Sequence, residues 1–198
     1  MERIIENIKK QFPLQDVNSD HGWFITCEKK DVISLLTHLK ITGGFTHLIL
    51  ITAVDWIEED RFQLTYLLNN PQLKIRLGLR TFIERSVWPD ESEMQSAHHL
   101  WPAVKTYQRE LHEMFGIDFP GSPEVNDPLI LEYWDDIPPY RRDFDTKKYS
   151  EETYFPREGR GSNDPAEYMK SQLYPNEGGK SQDFPQEISK KSSGEKNA

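Results

Sequence analysis

Charged pairs rather than nucleophiles are the chemistry this sequence offers. Arg109 and Glu113 stand four residues apart, so on a helix they can pair across one turn for about 0.2–0.5 kcal/mol. A solvated helix face accounts for them as simply. Arg141-Arg142-Asp143 follows Pro138-Pro139 and precedes Phe144; it fits docking to a partner, since arginine's fork of donors is favoured at interfaces, or a solvated charge pair. His98-His99 is a poor metal site, because neighbours on a helix diverge and no third ligand stands at a recognisable spacing. Asp55-Trp56-Ile57-Glu58-Glu59-Asp60 lacks the glycine and spaced oxygens of a calcium loop and reads as an acidic connection. The lone Cys27 can neither form an intrachain disulfide nor furnish the thiolates of a zinc or iron–sulfur site. Gly-rich dinucleotide, phosphate-loop and Gly-x-Ser-x-Gly motifs are all missing. No catalytic, cofactor-binding or metal residues are expected in this chain.

A net charge of -9 over 198 residues argues against nucleic-acid binding, which relies on clustered Lys and Arg. The partners expected are proteins. No stretch approaches the roughly 20 apolar residues that cross a bilayer. The charged start Met1-Glu2-Arg3 lacks a signal peptide's apolar core, and cysteine poverty suits a reducing compartment. A cytoplasmic location is the default, with membrane association only through partners.

The elements that must position these charges follow from periodicity. Ile4, Ile5, Ile8 and Phe12 recur at helical spacing before Pro13. Trp23 to Cys27 is rich in strand formers, and Asp31 is placed to cap a helix with Val32, Ile33, Leu36 and Leu39 on one face, ended by Gly43-Gly44. Strands are expected over Thr46–Val54, Phe62–Leu68 and Leu73–Phe82, the last two joined as a hairpin at Asn69-Asn70-Pro71. Glu84–Glu93 is a charged connection. Pro102 opens a third helix ending near Gly116; on it Val104, Tyr107, Leu111, Met114 and Phe115 face inward, and Arg109 and Glu113 outward. The fold class is α+β, a mostly antiparallel or mixed sheet covered by helices and followed by an extended C-terminal arm. Residues 1–120 form the core domain. Prolines 120, 123, 128, 138 and 139 prevent long regular elements in an arm spanning 121–174, of which 149–174 is expected to strap a partner. The tail 175–198, with only Phe184 and Ile188 as large apolar residues, is expected to be disordered.

The run from Tyr107-Gln108-Arg109-Glu110 through Glu113-Met114-Phe115-Gly116-Ile117 to Phe119-Pro120-Gly121-Ser122-Pro123 closely resembles the signature of a known family. That family is the C-type, 30 kDa subunit of NADH-quinone oxidoreductase, respiratory complex I. Gln108 and Ser122 depart from the signature, standing where the family usually has Glu and His. His47-Leu48 through Val54-Asp55-Trp56, Arg61-Phe62, Leu64 to Leu67, and Pro139-Tyr140-Arg141-Arg142-Asp143-Phe144 resemble further family segments, so that about residues 1–150 match in order.

The resemblance implies a cofactor-free structural subunit in the hydrophilic arm of a proton-pumping membrane complex. Iron–sulfur clusters are carried by partner subunits. The neighbours implied are the quinone-site, hydrogenase large-subunit-like subunit and the subunit holding the terminal cluster, on the cytoplasmic side of the membrane. Interface anchors are expected at Arg109, Glu110, Glu113, Phe115, Gly116, Phe119, Arg141, Arg142 and Asp143, although Phe115 suits core packing equally and Gly116 suits a left-handed cap. On this view Arg141→Glu with Arg142→Glu leaves the fold intact and weakens assembly. An energy-converting nickel–iron hydrogenase, or a ferredoxin- or F420-linked relative of complex I, is the alternative setting. A free-standing acidic binding module is the reading from a different class.

Overall fold

The computed structural model describes residues 2–18 and 22–154. Residues 1–145 form one compact unit, and a second begins at Thr146. The order in the first is α1 (Glu2–Lys9), β1 (Leu14–Asn18), β2 (Phe24–Cys27), α2 (Val32–Ile41), β3 (His47–Trp56), β4 (Arg61–Asn70), β5 (Ile75–Glu84), β6 (Ser92–Glu93), α3 (Val104–Phe115) and β7 (Ile117–Asp118). The main sheet has five strands ordered β1-β2-β5-β4-β3. β2 runs parallel to β5 and every other pair is antiparallel, so the sheet is mixed and the fold α+β. β6 and β7 form a separate parallel pair.

Period-2 burial along β4 sends Phe62, Leu64, Tyr66 and Leu68 into the core. There they meet Val32, Leu35, Leu36 and Leu39 of α2, Ile5 and Ile8 of α1, and Val104, Leu111, Met114 and Phe115 of α3. Each such side chain stabilises by about 1.5–3 kcal/mol on burial. Polar bonds fix the helices on the sheet. The Tyr107 hydroxyl donates to the Ile49 carbonyl at 2.7 Å, and the Trp101 indole donates to the Thr46 carbonyl at 3.0 Å. At the β4–β5 hairpin, Asn70 Oδ1 accepts the Leu73 N–H at 3.0 Å while its Nδ2 donates to the Gly43 carbonyl at 2.9 Å, tying the turn to the exit of α2.

Several expectations are corrected. Asp31 stands at the N-cap of α2 but makes no side-chain capping bond, because a 3-10 turn over Lys29–Asp31 leads into the helix. β1 went unpredicted: it is a short edge strand with polar Gln15, Asp16 and Asn18, and only its pairing with β2 defines it. β6 and β7, two residues each, are too short for a periodic signal. In the second unit Thr146–Tyr154 forms a helix, α4, inside the expected irregular arm; no proline interrupts the chain between Pro139 and Pro156. The rest of the expected strap, 155–174, and the tail 175–198 lie outside the described residues. Among the described residues no helix is long and apolar enough to cross a membrane.

Candidate functional site

The apolar stripe of α3 faces the sheet, which leaves Arg109 and Glu113 on its outer side, where they bind this chain's own arm. The Arg109 guanidinium donates to the carbonyls of Asp127, at 3.2 and 3.1 Å, and Pro128, at 2.7 Å. Glu113 gathers three consecutive backbone donors. Its Oε1 accepts from Leu129, Ile130 and Leu131 at 3.0, 3.2 and 2.9 Å, and its Oε2 accepts from Ile130 at 3.0 Å. The expected pairing across the helix turn is therefore replaced by a clamp on residues 127–131. Charge-assisted bonds of this kind are about twice as strong as neutral ones.

A second clamp holds the next stretch. The Tyr140 N–H donates to the Met114 carbonyl at 3.0 Å and the Ser92 N–H to the Gly116 carbonyl at 3.2 Å, satisfying acceptors that the end of α3 leaves open. Gly116 closes the helix in the left-handed conformation, φ +67. A Cβ there would meet the Trp88 and Pro138 rings at 3.2 and 3.3 Å. The Arg141 guanidinium, 2% exposed, donates to the Ser86 carbonyl at 2.6 Å and, at a longer 3.4 Å, to the Phe115 carbonyl. That places a cation at the helix C-terminus, where the backbone dipole favours it. The expectation that Arg141 stands outside the core is thus corrected. Arg141→Glu would set a carboxylate against the Ser86 and Phe115 carbonyls, so a loss of fold stability is expected from it in addition to weaker assembly.

The network centres on Asp55, at the end of β3 and 5% exposed. Arg85 grips it with two bonds, Nε to Oδ1 at 2.8 Å and Nη2 to Oδ2 at 3.1 Å, while the Arg142 N–H donates to Oδ2 at 2.9 Å. Arg85 also pairs with Asp143 at 2.9 Å, and Arg141 with Asp143 at 3.3 Å. Both guanidiniums lie against the Phe62 ring, at 5.7 and 5.5 Å. Burial pushes the Asp143 carboxyl up, but hydrogen bonds from Arg85 and Arg141 outweigh it and hold the group below its ordinary range. Arg85 is shifted up: burial opposes its charge, and Asp55 and Asp143 more than compensate. The Arg142 side chain faces out and bonds Glu58 at 2.6 and 2.7 Å, lowering the Glu58 carboxyl.

The nine expected site residues thus divide. Arg109 and Glu113 clamp residues 127–131 on α3, Gly116 caps that helix, and Arg141, Arg142 and Asp143 join the network around Asp55 and Arg85. Phe115 and Phe119 are core, at 8% and 0% exposed, and Phe115 meets Phe62 and Tyr140 edge-on at 6.0 and 5.7 Å. Glu110 is half-buried and without an ion pair among the described residues. Asp55 and Arg85 were missed as partners; one lies in a segment read as an acidic connection, the other in one read as a charged link. Gln108 is fully buried and accepts from Ser96 Oγ at 2.8 Å. Burial, then the charges of Asp31 and Glu28, pushes the Cys27 thiol up to about 12, which makes it inert. His98 and His99 lie in a turn before α3. The described groups clamp, cap and orient segments of this chain within an α+β domain.

Comparison with known proteins gives that domain its family. The family model for the 30 kDa subunit of respiratory-chain NADH dehydrogenase matches residues 25–150. The chain belongs to this family. It is 27% identical over 157 residues, 77% of this chain and 94% of the other, to the C-type subunit of NADH-quinone oxidoreductase from Trichlorobacter lovleyi. A longer NADH-quinone oxidoreductase subunit of Hydrogenobaculum sp., named for both the C and D types, is 31% identical over 75% of this chain, which spans 25% of that protein. A solved structure of the membrane-bound sulfane sulfur reductase, an archaeal respiratory membrane complex, contains a chain with a TM-score of 0.72 and 28% identity, covering 82% of this chain and 96% of that one.

Proposed function

We propose that the chain is a cofactor-free structural subunit of a complex I type NADH-quinone oxidoreductase, supporting electron transfer to quinone coupled to proton translocation. The family match over residues 25–150, together with coverage of 94% of the Trichlorobacter relative, carries the reading. The described site supports a scaffolding role, because its charged groups are spent on this chain's own backbone and ion pairs. In this reading the subunit sits peripherally on the cytoplasmic face of the membrane, and iron–sulfur clusters belong to its partners. It docks against the quinone-site and terminal-cluster subunits, and the Hydrogenobaculum relative whose name joins C with D supports a D-type neighbour. Arg109, Glu113, Arg141 and Asp143 shape the docking face from beneath. Glu110, Arg142 and the exposed Ile130, Tyr133 and Tyr140 present it.

The likeness to the sulfane sulfur reductase complex favours a second reading: the equivalent subunit of another relative of complex I, including hydrogenase and ferredoxin- or F420-linked types. Deleting the chain's gene and assaying membranes tests both. Loss of NADH-driven quinone reduction supports the first, loss of sulfane-sulfur or hydrogen chemistry the second, and unchanged activities refute both.

A further inference from the structure

The last turn of α3, strand β7 and the residue preceding β6 bring three metal-capable side chains to one point. They are Glu91, His112 and Asp118, whose ligand atoms all lie within 4.8 Å of one another. Backbone bonding fixes their approach. After the Gly116 turn, β7 pairs with β6 so that Asp118 lies opposite Glu93, and the Met94 N–H donates to the Asp118 carbonyl at 2.9 Å. Glu91 is thereby held beside the helix end that carries His112.

Two observations distinguish this from a chance gathering of charges. His112 Nδ1 is buried and has no hydrogen-bond partner, a state that calls for an explanation in a native fold. It stands 3.8 Å from Glu91 Oε1, too far for a hydrogen bond. Tetrahedral bonds of about 2.0–2.2 Å put donors roughly 3.3–3.6 Å apart, so the two atoms need to close by only a few tenths of an ångström to share one ion. Asp118 Oδ1 accepts the Phe119 N–H at 2.8 Å, orienting the carboxylate with Oδ2 available. Beside the group lies a cavity of about 160 Å³, with Glu91 and His112 in its wall along with Glu113, Asp127 and Asp136. Trp88, Val125, Leu131 and Trp134 supply the apolar part of that wall, and the space beside Glu91 and His112 has room for water ligands.

We propose that Glu91, His112 and Asp118 bind a divalent cation of the zinc type. One imidazole with two carboxylates suits a borderline transition metal better than calcium, which takes only oxygens. The ion is redox-inert and structural, pinning the exit of α3 to β6, and it is independent of the oxidoreductase reading. Sequence inspection missed the set because its members lie on three different elements.

The test uses untagged full-length chain, stripped with a chelator and titrated with Zn²⁺ by calorimetry, with Co²⁺ absorption as a report on coordination. One Zn²⁺ per chain is expected, with affinity falling at least about tenfold in Glu91→Gln and in His112→Ala, and with an altered Co²⁺ spectrum in the latter. Glu91 is exposed, so its variant keeps the fold if the histidine variant does not. The absence of saturable Zn²⁺ binding by the native chain overturns the proposal, as does an affinity unchanged in Glu91→Gln.

Discussion

Replacing Arg85 with Met leaves a similar volume of apolar side chain but strands a carboxylate. The Asp55 and Arg85 side chains are 1% and 7% exposed. Without the guanidinium, Asp55 loses two charge-assisted bonds and keeps one, from the Arg142 N–H at 2.9 Å; Asp143 loses its 2.9 Å partner as well. Breaking a buried pair from one side costs about 3–5 kcal/mol because the remaining charge is uncompensated. The retained N–H and the partly exposed Asp143 place Arg85→Met at about 3 kcal/mol. For a folded unit of this size that corresponds to a fall in Tm of about 6–12 °C. Urea unfolding of the full-length chain followed by tryptophan fluorescence measures the loss. Adding Asp55→Leu to Arg85→Met removes the stranded charge and should recover at least about 1 kcal/mol. A loss below about 1 kcal/mol for Arg85→Met, the level of an exposed pair, or no recovery in the double variant, refutes the reasoning.

Four further outcomes follow from the same geometry. Glu113→Ala removes the acceptor of three backbone donors, and hydrogen exchange at Leu129–Leu131 should accelerate by the equivalent of about 1–2 kcal/mol, with core amides unaffected. Gly116→Ala must hold φ +67 and meet two rings, costing about 1–3 kcal/mol by denaturant titration. The Asp143 carboxyl is depressed in the folded chain, so its contribution is complete above its unfolded value of about 3.9 and is lost as pH falls through the lower folded value. Below about pH 4 the native chain should therefore lose stability faster than Asp143→Asn. Cys27, buried with its pKa pushed up to about 12, should resist a maleimide at about pH 8 until the chain is unfolded.

Elements with strong periodicity were legible in the sequence. The alternating Phe62, Leu64, Tyr66 and Leu68, and the stripe along α3, set their own burial because side-chain period and backbone period agree. β1, β6 and β7 were hidden because pairing, not propensity, makes them strands. The same limit applied to the site. Sequence spacing paired Arg109 with Glu113, whereas in three dimensions each found backbone partners in 127–131. The charge of Arg141 suggested an exposed anchor, but beside its near neighbour Asp143 it bonds the distant Phe115 and Ser86 carbonyls, and long-range complementarity of that kind leaves no local signature. Asp55 and Arg85 look like surface charges for the same reason.

On the proposed function the chain must leave the membrane together with its neighbours. Tagging the chain, solubilising membranes in mild detergent, and identifying co-purifying proteins by mass spectrometry alongside iron and nickel content tests that most directly. Recovery with quinone-site and iron–sulfur subunits, rich in iron, is the predicted result; recovery as a lone, iron-free protein contradicts it.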